Sequence, residues 1–276
     1  MEKSEVIEKQ NLFRKKIDEA QVVLVGIGEE FNEGFEDIGK FSLLMTALEE
    51  VDTHPTLEWI VPFLEKCYIE QHNEGRLVEA YRKLYDIIKD KDYFIVTTCI
   101  DENIDKAGFD RERIVEPCGS YRALQCSAKC TEDLTLPDDF VELMQQALLD
   151  GVGLDSLGRP VCPLCGKPLA FNNVLCEKDY AESGYKPQWE KYTQWLQRTL
   201  NKKICLIELG VGMGLPSIIR WPFEKVAYYN EKADFFRINE QLYHMTKELE
   251  EKGISIGMNA IDFLNTIEEL EKCIVI

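Results

Sequence analysis

The sequence contains few basic residues, few histidines and no long apolar run. Its 276 residues include 32 Lys and Arg against 50 Asp and Glu, which gives a formal net charge of −18. Nucleic acids and anionic membrane surfaces bind clustered positive charge, so this composition argues against both as partners. No apolar stretch approaches the roughly 20 residues that cross a bilayer, which argues against a membrane-spanning helix.

The first ten residues, MEKSEVIEKQ, are charged and acidic. They do not resemble a secretory signal, which begins with basic residues and continues with an apolar stretch. We therefore expect a cytoplasmic protein. Disulfides are rare in that reducing compartment, so we expect some of the ten cysteines to bind metal or take part in chemistry.

Short apolar runs alternate with amphipathic segments along most of the chain. Strands are predicted at 21–28, 92–98, 113–116, 203–210, 225–230 and 253–257. Helices are predicted at 73–90, 137–149 and 187–200 and around 240–252. This alternation predicts an α/β fold with a doubly wound, mostly parallel sheet that helices cover on both faces.

Residues 119–176 interrupt the alternation. They contain half of the cysteines, together with several prolines and glycines. We interpret this stretch as an inserted module, so that 1–118 and 177–276 form one discontinuous domain.

Four cysteines of the inserted module occur as two close pairs. Cys126 and Cys130 are spaced C-x3-C, and Cys162 and Cys165 are spaced C-x2-C. Two such pairs can supply a tetrahedral zinc site, which would be structural because four thiolates close the coordination shell. Buried free thiols or a redox pair are the alternative. Cys176 could replace one ligand or pack in the core.

Glycines follow the first apolar run at Gly26, Gly28 and Gly34. Glycines after a strand let the backbone approach a pyrophosphate. Glu29 and Glu30 are unfavourable beside phosphate, however. From spacing alone, an ordinary strand-to-helix turn is at least as good an interpretation.

The order of further motifs resembles the sirtuin (Sir2-like) family. The motifs are TTCIDENIDKAGF (97–109), VEPCGSY (115–121), the two cysteine pairs, ELGVGMGLPSIIRWPF (208–223) and INE (238–240). They look most similar to the bacterial branch that includes enzymes ADP-ribosylating proteins, and the resemblance covers nearly the whole chain. It implies a Rossmann-type large domain, a small zinc domain, NAD bound between them, and a protein as substrate or partner.

The resemblance also implies which residues contact NAD. Asp101 matches the aspartate that holds the nicotinamide amide, and Asn239 matches an asparagine near the adenine ribose. Gly26 and Gly28 match the first glycine turn of the family. The full set is Gly26, Gly28, Gly34, Phe35, Ile100, Asp101, Gly210, Gly212 and Asn239.

The sequence departs from the family at the catalytic positions. Cys99 replaces the asparagine that positions ribose and water, and Cys118 replaces the histidine that serves as general base. No histidine occurs between residues 73 and 243, so a shifted histidine cannot replace the base. Asp101, Cys99 and Cys118 are therefore the candidate catalytic residues. The alternative is that both cysteines only fill space.

The expected function follows from these departures. A thiol needs nearby positive charge to ionise and act as a base. Arg122 is close in sequence, but Glu116, Asp101 and the overall acidity act against ionisation. Losing a general base costs about 10²–10⁴-fold in rate. We expect NAD-dependent ADP-ribosyl transfer or lysine deacylation, with deacylation weak or absent. The alternatives are a catalytically silent module that binds NAD or ADP-ribose, and a zinc-stabilised interaction protein without a nucleotide site.

Overall fold

The computed structural model describes residues 3–32, 40–72, 74–176 and 180–267. The helices are α1 (Lys3–Glu19), α2 (Ser42–Thr53), α3 (Val61–Gln71), α4 (Arg76–Ile88), α5 (Asp138–Leu149), α6 (Lys186–Arg198), α7 (Arg220–Tyr229) and α8 (Ala260–Asn265). The strands are β1 (Val22–Ile27), β2 (Asp92–Thr97), β3 (Ile114–Val115), β4 (Gly119–Cys126), β5 (Leu169–Asn173), β6 (Ile204–Leu209), β7 (Ala233–Ile238) and β8 (Gly253–Ile256). Among the helices within these ranges, none combines the length and apolar character needed to span a membrane.

Six strands form one parallel sheet in the order β3-β2-β1-β6-β7-β8. β1 lies in the middle, where Gly26 is level with Val96 of β2 on one side and with Glu208 of β6 on the other. The strand order reverses between β1 and β6, and open parallel sheets bind ligands at their carboxyl edge at such a reversal. The predicted doubly wound sheet is confirmed, and it directs attention to the residues that follow Ile27 and Leu209.

Helices cover both faces of this sheet. α1, α4 and α8 pack on one face around Phe13, Tyr81 and Phe263, and α6 and α7 pack on the other around Trp195 and Phe223. Since both faces are covered, β1 and β6 are buried along their whole length. Such strands are continuous apolar runs in sequence, which is why the two central strands could be predicted.

A second sheet consists of the antiparallel pair β4 and β5. It packs with α2, α3 and α5 around a separate apolar cluster that includes Phe63, Met144 and Phe171. We call residues 42–71 and 119–173 the small lobe. α2 and α3 belong to this core although they precede the predicted insertion, and neither helix was predicted. The division of the chain at residues 118 and 177 stays a prediction.

Two predicted elements are wrong. Residues 225–230, predicted as a strand, include the end of α7, and the strand β7 follows them. Val and Tyr are typical of strands, but Phe223 and Ala227 are buried four residues apart on one helical face, while Tyr229 is 74% exposed. The helix predicted around 240–252 is replaced by a short 3-10 turn, Lys247–Leu249.

Candidate functional site

Four cysteine sulfurs converge at one end of the small sheet. The Sγ atoms of Cys126, Cys130, Cys162 and Cys165 all lie within 4.8 Å of one another. The Cys126–Cys165 distance is 3.4 Å and the Cys130–Cys162 distance is 3.6 Å. Sulfurs bound to a tetrahedral zinc at ~2.3 Å are about 3.8 Å apart. The cluster therefore fits a metal site with four thiolate ligands.

Two tight turns hold these sulfurs in place. The N–H of Lys129 donates to the carbonyl of Cys126 at 2.8 Å, and that of Gly166 donates to the carbonyl of Cys162 at 2.9 Å. Lys129 and Gly166 both have left-handed backbones, with φ of 48° and 67°. Cys176, the alternative ligand, is not part of the cluster.

The turns after β1 and β6 touch each other where the strand order reverses. The N–H of Gly28 donates to the carbonyl of Leu209 at 2.9 Å, and that of Glu30 donates to the carbonyl of Gly210 at 3.2 Å. A Cβ on Gly28 would lie 2.5 Å from the Cα of Val211. Gly210 has a φ of +62°. Glycine is therefore required on both turns.

The carboxylate of Glu29 occupies the β6 turn. It accepts a hydrogen bond from the N–H of Gly212 and another, at 3.3 Å, from the N–H of Gly214. Convergent backbone N–H groups form an anion-binding concavity, and the anion bound here belongs to the protein itself. The N–H groups of Gly212 and Gly214 therefore bind an anion at this turn, and that anion is the Glu29 carboxylate.

Glu30 makes a different set of contacts. Its Oε1 accepts a hydrogen bond from the N–H of Glu240 at 2.7 Å, and its Oε2 accepts one from the N–H of Ala260 at 2.8 Å. Burial raises the pKa of Glu30, although these two N–H groups act in the opposite direction. The side chain thus joins the β1 turn to the segments that follow β7 and β8, which is a structural role.

Asn239 also makes its hydrogen bonds within the protein. Its Oδ1 accepts hydrogen bonds from the N–H groups of Gln241 at 2.9 Å and Leu242 at 2.6 Å, and its Nδ2 donates to the carbonyl of Val211 at 3.3 Å. Asn239 thereby attaches the loop after β7 to the β6 turn. Its predicted place near an adenine ribose stays a prediction.

The loop after β2 brings the candidate residues Cys99, Ile100 and Asp101 to the same sheet edge. The Sγ of Cys99 donates to the carbonyl of Gly28 at 3.4 Å. The carbonyl of Ile100 accepts from the N–H of Tyr121 at 3.2 Å, which connects this loop to β4. The β1 turn, the β6 turn and this loop therefore meet at the carboxyl edge of the sheet, where open parallel sheets bind ligands, and we call this place the crevice.

Cys118 lies directly before β4 and is 1% exposed. The residue after it, Gly119, has a φ of +72°, and a Cβ there would lie 2.1 Å from the carbonyl oxygen of Asn172 on β5. The close pairing of β4 with β5 therefore requires glycine at 119, whichever residue precedes it.

Solved sirtuin structures superimpose on this chain. A structure of Sir2Tm bound to a propionylated peptide has a TM-score of 0.53 at 13% identity, covering 93% of this chain and 95% of its own. A Sir2 complex with a peptide and NAD⁺ has a TM-score of 0.52 at 14% identity, covering 92% of this chain and 95% of its own. The chain has the sirtuin fold.

Sequence comparison adds two curated relatives, whereas no family model matches. A protein ADP-ribosyltransferase of Staphylococcus aureus (strain Mu50) is 25% identical over 92% of this chain and 85% of its own length. A probable bifunctional ADP-ribose hydrolase/ADP-ribosyltransferase of Fusarium oxysporum f. sp. cubense is 26% identical over 60% of this chain, but over only 29% of its own length.

Burial favours the neutral thiol at both candidate cysteines, Cys99 and Cys118. Burial, with a smaller contribution from the charge of Glu29, raises the pKa of Cys118 to about 12, and burial raises the pKa of Cys99 well above its usual value. Arg122, the positive charge near Cys118 in the sequence, is bound to Glu116 at 3.2 Å, in line with the expectation that Glu116 acts against activation of the thiol. Because only a thiolate accepts a proton readily, neither cysteine acts as a base at neutral pH.

Asp101 titrates closest to neutral pH among the three candidate catalytic residues of this sirtuin fold. Burial raises its pKa to about 6, although the N–H of Asn103 donates to its Oδ1 at 3.1 Å and favours the carboxylate. A perturbed carboxyl in a crevice is typical of a functional site.

A buried ion pair beside Asp101 was not predicted. Lys66 of α3 donates to Glu102 at 2.9 Å, and both side chains are about one-tenth exposed. Glu102 has a left-handed backbone with φ of 60°, so the pair fixes an unusual conformation of the loop that carries Asp101. The two residues are 36 positions apart, and no spacing rule relates them.

Three candidate residues remain, and Gly26 is the one among them that the structure describes. Gly34 and Phe35 lie outside the described residues. Gly26 lies within β1, and a Cβ there would lie 2.3 Å from the Cγ2 of Ile219, so it allows β1 and the α7 region to pack closely.

Proposed function

We propose that this protein is a sirtuin-like, NAD-dependent protein-modifying enzyme that transfers ADP-ribose to a protein acceptor, with weak or absent lysine deacylation. The observation that carries the proposal is the anion-binding turn of Gly212 and Gly214 at the strand reversal of a sirtuin fold. The curated relatives are described as ADP-ribosyltransferases, and a Sir2 neighbour was solved with NAD⁺.

The four-cysteine cluster is proposed to hold a structural zinc ion. Cys126, Cys130, Cys162 and Cys165 would supply four thiolates, which leave no coordination position for substrate. The pKa of Cys126 is lowered to about 6, and the largest cause is the hydrogen bond that the backbone N–H of Cys130 donates to its sulfur. A metal here would join the two turns that flank the small sheet.

Three groups of the crevice are suited to bind NAD. The N–H groups of Gly212 and Gly214 would hold a phosphate after Glu29 has moved away, and the carboxylate of Asp101 would accept a hydrogen bond from the nicotinamide amide. When bound, NAD supplies the ADP-ribosyl group and releases nicotinamide. The roles of the protein are to bind, orient and exclude water.

The neutral thiols determine which reaction is favoured. Cys99 donates a weak hydrogen bond to the carbonyl of Gly28. Neither Cys99 nor Cys118 removes a proton as a neutral thiol, so a step that requires a base is slowed by about 10²–10⁴-fold. Deacylation requires removal of a ribose-hydroxyl proton. Transfer to an acceptor that is already a strong nucleophile needs no such step, and it is therefore the favoured reaction.

Release of nicotinamide from NAD tests the proposal. The wild-type protein should release nicotinamide. Asp101→Ala should reduce the rate at least 100-fold, on the order of losing one essential polar group. The rate of Cys118→Ser should remain within about threefold of wild type, because a neutral thiol is not the base. Loss of activity in Cys118→Ser, with wild-type binding of ADP-ribose, would contradict the assignment of Cys118.

A catalytically silent sensor of NAD or ADP-ribose is the second candidate. The burial and neutrality of Cys99 and Cys118 favour it. Calorimetric binding of ADP-ribose together with no nicotinamide release in any acceptor mixture would support the sensor and overturn the transferase.

A further inference from the structure

Glu29 lies against the β6 turn, where its charge acts on the guanidinium of Arg220. Its carboxylate accepts hydrogen bonds from two backbone N–H groups, those of Gly212 and Gly214, and it forms no ion pair with any lysine or arginine in the described ranges. Its charge also acts on the buried thiol of Cys118. The carboxylate therefore lies near both the anion-binding turn and the catalytic motif.

The β6 turn is shaped around this carboxylate. A Cβ on Gly212 would lie 2.8 Å from the Oε2 of Glu29, and a Cβ on Gly214 would lie 3.0 Å from its Oε1. Both glycines thus admit an anionic group to direct contact with the backbone. The same two N–H groups cannot hold a phosphate and the Glu29 carboxylate at the same time.

Glu29 can leave the turn, whereas its neighbour Glu30 is held. Glu29 is exposed and Glu30 is partly buried. Glu30 links the β1 turn to Glu240 and Ala260, so moving it would break contacts among three segments of the fold. Moving Glu29 exposes two N–H groups to a new acceptor, and within the described residues it breaks no other hydrogen bond or ion pair of that side chain.

We propose that Glu29 is an internal competitor that sets the affinity of the crevice for nucleotide phosphates. The inference rests on the proposed function, since it concerns the same crevice. A diphosphate ligand has to displace the Glu29 carboxylate from Gly212 and Gly214 and then bind close to its negative charge. The wild-type protein therefore binds NAD and ADP-ribose weakly, and a substitution that removes the charge at 29 strengthens binding.

Isothermal titration with ADP-ribose tests this inference without any reaction. Glu29→Gln keeps the size and one acceptor oxygen of the side chain but removes its charge. We expect it to lower the Kd at least about tenfold, because like charges within a few ångströms repel by several RT in a partly dehydrated site. Glu58→Gln, an exposed change in the 3-10 turn Pro55–Ile60, is the control for net charge and should leave the Kd unchanged.

Adenosine and Glu30→Gln provide two further controls. Adenosine carries no phosphate, so it should bind wild type and Glu29→Gln equally. Glu30→Gln should lower the melting temperature without strengthening ADP-ribose binding, whereas Glu29→Gln should melt like wild type.

Three results would overturn the inference. If wild type and Glu29→Gln bind ADP-ribose equally, the nucleotide site is still supported but Glu29 does not compete with the ligand. If Glu29→Gln strengthens adenosine binding as much as ADP-ribose binding, the effect is not competition with phosphate. If neither protein binds ADP-ribose, the proposed function fails together with the inference.

Discussion

At the scale of single residues, burial favours neutral thiols at this sheet edge, so we expect its carboxylates to matter more for chemistry than its thiols. Cys99 and Cys118 occupy the positions where the sirtuin motifs predict an asparagine and a base, yet both are neutral and buried. The groups that change or hold charge at this edge are Asp101 and Glu29. Variants of the carboxylates should therefore affect function more than variants of the cysteines.

The raised pKa of Asp101 predicts how nicotinamide release depends on pH. Below pH 6 the carboxyl is increasingly protonated, and its protonated oxygen then donates a hydrogen bond instead of accepting one from the nicotinamide amide. We expect the rate to fall about tenfold per pH unit below 6, as for a single required carboxylate. A pH–rate profile between pH 4.5 and 8 measures this dependence. A flat profile would show that ionised Asp101 is not required.

The raised pKa of Asp101 also predicts that folding stability decreases with rising pH, whereas the rate of nicotinamide release increases. The folded protein binds this proton more tightly than the unfolded chain does, so stability is lost as pH rises from about 4 to about 6. Asp101→Asn, which keeps an acceptor for Asn103, should raise the melting temperature by a few degrees at pH 7.5 and by less at pH 4. A lower melting temperature at pH 7.5 would argue against a destabilising buried charge.

At the scale of elements, glycines determine where strands and turns approach each other. Gly119 is the clearest case, because its positive φ and its contact with Asn172 both exclude a side chain. Gly119→Ala should reduce the free energy of unfolding by about 2–4 kcal/mol, measured by urea denaturation. Gly158→Ala, where a Cβ would meet nothing within 4 Å, should change it by less than about 0.5 kcal/mol. Equal effects of the two variants would contradict this explanation.

Secondary structure was predicted correctly where burial produces a hydrophobic pattern that is typical of one kind of element. β1 and β6 are buried on both faces and are therefore continuous apolar runs. The segment 225–230 misled the prediction because Val226, Tyr228 and Tyr229 are typical of a strand, whereas tertiary packing buries Phe223 and Ala227. α2 and α3 were missed because half of their packing partners lie in the distant segment 119–173.

At the scale of the whole molecule, the important contacts join distant parts of the chain. Glu29 contacts Gly212 across 183 residues, and Lys66 contacts Glu102 across 36. Sequence spacing predicted the four-cysteine cluster, since its chemistry depends on short local intervals, whereas Gly210 and Gly212 became candidates only through the family resemblance. Sequence spacing could not show that the Glu29 carboxylate of the β1 turn binds the N–H groups of the β6 turn, because the two turns are neighbours only through the strand order.

Three separate apolar clusters predict that different parts of the molecule unfold separately. Two clusters lie on the large sheet, and the third lies in the small lobe beside the cysteine site. We expect the purified protein to contain one zinc per chain. Removing it with a chelator should accelerate amide exchange in residues 42–71 and 119–173 while β1 and β6 stay protected, since cooperative units open separately. Hydrogen-exchange mass spectrometry measures both regions in one experiment.

Two cysteine variants separate loss of metal from loss of a thiol. Cys162→Ser removes a cluster ligand, so it should lose zinc and reproduce the exchange pattern of the chelated protein. Cys176→Ser removes a thiol outside the cluster and should keep zinc and wild-type exchange. If chelation accelerated exchange in β1 and β6 as much as in the small lobe, the two parts would unfold as one unit, and the metal would stabilise the nucleotide crevice directly.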